Sequence, residues 1–190
     1  MTVTAYMVFK LQDGSYLKSE SQVVFQGQAG IPEAADFNKA SKPGDNGIFE
    51  VEVYSFAIAQ ALNIGSQSTG AGAGKVTFNP FSITRRIDKA SPILFQMASS
   101  GTPFQEVSLA LRKNPNGAIF LVFNFKLVAV KTIAWAGGGE EPQEAITFEY
   151  GGLQIFYGPQ TTDGKLTKSV VGGWNVVSNK PDTDFNSIVK

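Results

Sequence analysis

The chain has 190 residues, of which 43% are apolar and 17% charged, and its 16 basic side chains balance 16 acidic ones. That length suits one domain with a substantial core, and the charge balance leaves no electrostatic footprint for nucleic acid or an anionic membrane. Cysteine and histidine are both absent, which excludes disulfides, thiolate catalysis, Cys-ligated zinc and the usual His-based triads.

Residues 1–12, MTVTAYMVFKLQ, lack a basic leader and a continuous apolar run, so they do not resemble a secretory signal. The expectation is folding in the cytoplasm, with any export by a route that reads no N-terminal signal. The longest apolar run, Ala118 to Val130, is broken by Asn124 and Lys126 and is too short to span a bilayer.

Residues 5–11 are β-branched and aromatic enough for a strand, and Asp13-Gly14 turns the chain. From 19 to 47 Gly, Pro, Asn and Asp are spread through the sequence. This reads as a long surface excursion with a helical turn near Pro32–Phe37. Residues 48–62 alternate as one long, curved strand. Phe49, Val51 and Val53 share a face that continues with the small Ser55, Ala57 and Ala59.

Residues 63–74, NIGSQSTGAGAG, read as an uncharged flexible loop. Gly74-Lys75 resembles the end of a P-loop, but Thr69 stands where the pattern needs Gly, and Val76 stands where it needs Ser or Thr. A strand also follows it, so no helix N-terminus is aimed at a phosphate. Residues 75–84 make a strand interrupted at Pro80.

Arg85, Arg86, Asp88 and Lys89 then form a charged corner, readable equally as a solvated turn or as an inter-subunit ion-pair cluster. Ser91 is placed as an N-cap with Pro92 at the first helical position. Ile93, Leu94, Met97 and Ala98 recur at helical spacing, and Gly101 can end the helix in the left-handed conformation. The helix is predicted over about 91–100.

Residues 104–112 alternate as a strand, Asn114-Pro115-Asn116-Gly117 makes a hairpin turn, and 118–130 returns through the core. Residues 136–143 are a loop. Residues 144–157 form a strand bent at Gly151-Gly152, and 173–179 form a last short one. About eight strands and one helix point to a sandwich or barrel.

Chemistry is hard to place on this frame. Glu140 and Glu141 sit in a glycine loop without an apolar pocket to separate their pKa values. Asp163-Gly164-Lys165 lacks the ligand alternation of an EF-hand. Trp135 and Trp174, with no basic track beside them, read as packing or interface residues. No catalytic residue, metal site or cofactor is predicted.

The order GAGAGKV, IDKASPILFQMASSG, a hairpin, PQEAITFEYGGLQIFYGPQTTDGK and GWNVVSNK resembles the Hcp family. These are the haemolysin-coregulated proteins of the type VI secretion inner tube. The resemblance covers 5–12 loosely and about 48–180 well. It implies two packed antiparallel sheets in a β-barrel-like domain with one short helix on its side, the whole of 1–190 forming one domain. It also implies six-membered rings stacked into a hollow tube and related to phage tail tubes. The tube's partners would be other copies of itself, the contractile sheath, a spike protein and small effectors carried in the lumen, with no nucleic acid and no membrane insertion. The protein would sit in the bacterial cytoplasm before firing and be secreted afterwards.

On this reading the ring-stacking loop comprises Asn63, Gly65, Ser68, Gly70, Gly72, Gly74 and Lys75. Ser55, Ala57, Ala59 and Gln60 suit a smooth lumen, and Arg85, Arg86, Asp88 and Lys89 become subunit-interface candidates. The excursion at 19–47 and a tail at about 181–190 exceed the family's usual pattern. Two other readings remain: a tail-tube protein of another phage-like contractile particle, and a monomeric β-barrel that binds a ligand or hydrolyses one with carboxylates.

Overall fold

The computed structural model describes residues 2–25, 30–63, 72–113, 117–137, 141–163 and 165–184. The strands are β1 (Val3–Lys10), β2 (Phe49–Val51), β3 (Val53–Ser55), β4 (Ile58–Asn63), β5 (Gly72–Phe78), β6 (Phe81–Arg86), β7 (Phe104–Lys113), β8 (Ile119–Ala136), β9 (Gln143–Tyr157), β10 (Val170–Asn175) and β11 (Lys180–Pro181). Two helices join them, α1 (Ala35–Ala40), entered through a 3₁₀ turn at Pro32–Ala34, and α2 (Ser91–Ser100).

The β-rich, two-layer architecture matches the expectation. The layers are not separate sheets, however, because the long hairpin of β8 and β9 runs through both. Its upper half carries the order β11-β10-β9-β8-β7-β1-β2, and its lower half carries β6 and then β3 beyond β9. Leu127, at φ 52°, and a register shift between Val130 and Thr132 bend β8 where it passes between layers. Among the described strands the sheet stays open at β11, β2, β3 and the part of β8 beyond Val128, so it is not a closed barrel.

Alternation along the hairpin sends Phe125, Phe148 and their neighbours inward, and the two layers meet through stacked aromatic rings. Phe81 of the lower layer lies 4.5 Å from Phe125 of the upper. Phe9, Phe49, Phe104 and Leu94 complete this first core.

The stretch at 48–62 is not one strand. β2 pairs with β1 in the upper layer, β3 with β6 in the lower, and β4 with β5 in a hairpin apart from both. Alternation shows only that each piece has two faces, and it is silent on which neighbour each piece chooses. The same hairpin corrects the reading of 63–74 as a loop, since Asn63 pairs with Gly72 as the two strands run on. Residues 64–71 lie outside the described residues.

Helix α2 has the predicted span but a different start. Ala90 occupies the N-cap with helical dihedrals and makes no side-chain cap, and Ser91 is the first helical residue. Asp88 takes over part of the capping, because its Oδ1 accepts from the Ala90 N–H at 2.9 Å. Gly101 ends the helix at φ 70°, as its lack of a Cβ allows. Leu94 and Met97 are buried and Ala98 packs on the core, whereas Ile93, expected on that stripe, faces outward.

The excursion is not a surface decoration. Phe25, Ile31, Phe37 and Ala40 bury against Tyr6, Val8, Ala110 and Val122, forming a second core on the far side of the upper layer. Phe25 meets Tyr6 edge-on at 5.1 Å, and the Arg112 guanidinium lies over the Phe25 ring at 5.1 Å. The buried Asn46 amide closes the segment, donating to Ser21 O and Val23 O at 2.7 Å and accepting from the Ile48 N–H at 3.1 Å. A buried amide with all these bonds made acts as a clamp. The start of the C-terminal tail folds back on β10, with the Asp182 N–H donating to Gly173 O at 3.1 Å.

Candidate functional site

The lower layer presents one face to the core and one to the outside. Its pairing aligns Val53, Thr84, Ala145 and Ala134 in one row across β3, β6, β9 and β8. The next row of the same face holds Ser55, Ser82, Thr147 and Thr132. All eight are exposed or half-buried, none is charged, and Ser82 and Thr147 share a hydroxyl contact at 3.2 Å. Small neutral side chains on adjacent strands give a flat surface with little to grip. Of the lumen residues read from sequence, Ser55 lies in this face; Ala57 follows β3, and Ala59 and Gln60 belong to β4 of the separate pair, all three exposed. The contributions of β6, β8 and β9 were missed, because rows emerge only once register is known.

The same layer ends on unmade backbone pairing. Among the described strands β3 pairs with β6 alone, and β8 beyond Val128 pairs with β9 alone, since β7 begins opposite Val128. Two unpaired edges therefore lie at opposite ends of the same rows. Open edges of this kind invite another chain.

The charged corner folds inward. Arg85 is only 2% exposed and pairs with Asp88, while its Nε lies 2.9 Å from Glu144 Oε1 in an ion-pair contact without hydrogen-bond alignment. Strand alternation places Glu144 on the core face with Ile146 and Phe148, where it is 0% exposed. A carboxylate at that depth requires partners. It accepts from Ser91 Oγ at 2.9 Å on Oε1 and from Trp135 Nε1 at 3.2 Å on Oε2. The Arg85 guanidinium also lies over the Phe49 ring at 4.8 Å. Arg85 is thus spent inside the subunit, whereas Arg86 and Lys89 are exposed, Arg86 reaching Glu52 and Glu141. Sequence reading saw the corner but not Glu144, its deepest member, which lies far along the chain.

Of the stacking residues read from sequence, Asn63 and Gly72 face each other in the β4–β5 pair, and Gly74 and Lys75 continue β5. Gly65, Ser68 and Gly70 lie outside the described residues. The base of this hairpin is pinned by Tyr150, whose hydroxyl donates to Asn79 O at 3.1 Å. Burial, and then the Glu149 carboxylate, push the Tyr150 phenol up to about 12, so it stays a donor.

A groove of about 430 Å³ between residues 19–21 and the β2–β6 corner gathers several carboxylates. Three of them are engaged, Glu50 accepting from Ser21 Oγ, Glu52 from Arg86 and Gln143, and Asp88 from Arg85, while Glu20 is exposed.

A sequence model of the family described as "Type VI secretion system effector, Hcp" matches residues 39–157. This chain belongs to the Hcp family. The Hcp1 protein of Pseudomonas aeruginosa is 34% identical over 110 residues, a match spanning 55% of this chain and 68% of that protein. A solved type six secretion system protein superposes with a TM-score of 0.74 at 22% identity, over 95% of this chain and 100% of that one. Hcp1 from Salmonella typhimurium superposes with a TM-score of 0.65 at 20% identity, over 96% and 100% of the two chains. The structural likeness extends the Hcp fold beyond the family match, over about 95% of this chain.

Proposed function

We propose that this Hcp protein is a structural subunit of the type VI secretion inner tube. Copies close head to tail into six-membered rings, and the rings stack into a hollow tube that is exported on firing with small effectors in its lumen. The observation that carries this reading is the lower layer, with two unpaired edges at opposite ends of the same rows and a neutral, small-residue face between them. A cyclic ring needs complementary, non-identical edges on each subunit. Joining β3 of one copy to β8 of the next satisfies both and turns the neutral face toward a common axis. The β4–β5 hairpin, paired with neither layer and pinned only at its base, reaches toward the next ring.

The chain's lack of cysteine makes cross-linking a clean test. Val53→Cys and Ala134→Cys place one thiol on each free edge. With a short bis-maleimide the double variant is expected to give a ladder up to six subunits, and each single variant at most a dimer. A double variant that gives no ladder overturns the edge-to-edge ring.

A further inference from the structure

The lower end of β8 displays an aromatic pair that the subunit's own packing leaves half outside. Trp135 and Phe95 of α2 are each 50% exposed, with ring centroids 6.0 Å apart and planes inclined by 48°. The indole is not loose. Its Nε1 donates to Glu144 Oε2 at 3.2 Å, and Glu144 is in turn held by Ser91 and Arg85. A buried charge cluster therefore fixes one edge of a side chain whose ring faces out. Exposed aromatics lose rotamer freedom when a partner covers them, and one already held in place loses less. Large, pre-set aromatics at the centre of a contact are the residues that carry most of its binding energy.

We propose that Trp135 and Phe95 are the anchor by which one copy grips the β3 edge of the next. This rests on the ring reading above and names the residues that hold it. Three features favour a second copy as occupant. Trp135 belongs to the part of β8 whose outer edge is unpaired, so a strand added there passes beside the indole. β3 is the unpaired edge at the far end of the same rows, and register puts its half-buried Tyr54 on the face of Ile83, Ile146 and Glu144, the face that Trp135 occupies on β8. Neither the aromatic pair nor Tyr54 carries a charge, so the contact desolvates no ion from them.

Trp135 and Trp174 are the chain's two tryptophans, so a Trp174→Phe background isolates the emission of Trp135. In that background the emission is expected to lie to the blue in rings and to move red as dilution releases subunits. Trp135→Ala and, separately, Phe95→Ala are expected to raise the concentration needed for ring formation by about 30-fold, with subunit circular dichroism unchanged. Phe95 makes no hydrogen bond to the buried cluster, so its variant tests the anchor without disturbing Glu144. Rings that form at the wild-type concentration in both variants, or an emission indifferent to assembly, overturn the anchor. Absence of rings in the unaltered protein overturns the ring reading instead.

Discussion

Arg85 and Glu144 neutralise each other where water does not reach, so neither tolerates loss of the other. Arg85→Met leaves Glu144 with only hydroxyl and indole donors and is expected to cost about 3–5 kcal/mol in chemical denaturation. Adding Glu144→Gln to that variant removes the stranded charge and recovers part of the loss, a coupling that a double-mutant cycle reads directly. Asp36 provides a pH signature. Burial alone would raise its pKa, but the hydrogen bond from Lys39, the charge of Lys10 and the hydrogen bond from Tyr16 outweigh burial and hold it below its ordinary 3.8. A carboxyl with a depressed folded pKa contributes stability above its unfolded value and loses it as pH falls through the folded one. Asp36→Asn is therefore expected to be less stable than the unaltered chain at neutral pH. The difference should shrink below about pH 4 in acid titrations followed by circular dichroism.

At the scale of elements, α2 is a buttress with one anchored side. Leu94 is fully buried in the first core, and Leu94→Ala is expected to cost about 2–5 kcal/mol in thermal or denaturant unfolding. The excursion behaves as a second core element, so Phe37→Ala is expected to cost about 3–5 kcal/mol. A cost within about 0.5 kcal/mol of zero, typical of surface sites, would return the excursion to mere decoration. The bounds of α2 were legible because Pro92 and Gly101 punctuate them chemically. The excursion was not legible, since Phe25, Ile31 and Phe37 follow neither a helical nor a strand period. Their burial rests on bonds to residues far along the chain, Asn46 to the carbonyls of Ser21 and Val23 and Ser41 Oγ accepting from the Phe25 N–H at 2.6 Å. Likewise Ser55 and Ala59 could be read as small and outward. Ser82, Thr132 and Thr147, by contrast, join Ser55 only through cross-strand register, which a linear pattern does not contain.

For the whole molecule, the two-layer sheet with its shared β8–β9 hairpin leaves its pairing unfinished in the lower layer, and the proposed ring would finish it. The β4–β5 hairpin stands outside that pairing, so shortening it between residues 63 and 74 is expected to spare the subunit fold while weakening contact between rings. Loss of folded, soluble subunit in that variant would place the hairpin in the fold rather than in stacking. The account stands or falls on ring closure, and native mass spectrometry at micromolar concentration, with negative-stain images of the same sample, measures it most directly. The result expected is a six-subunit species that appears as rings with an open centre. A stable monomer without ring images would contradict it.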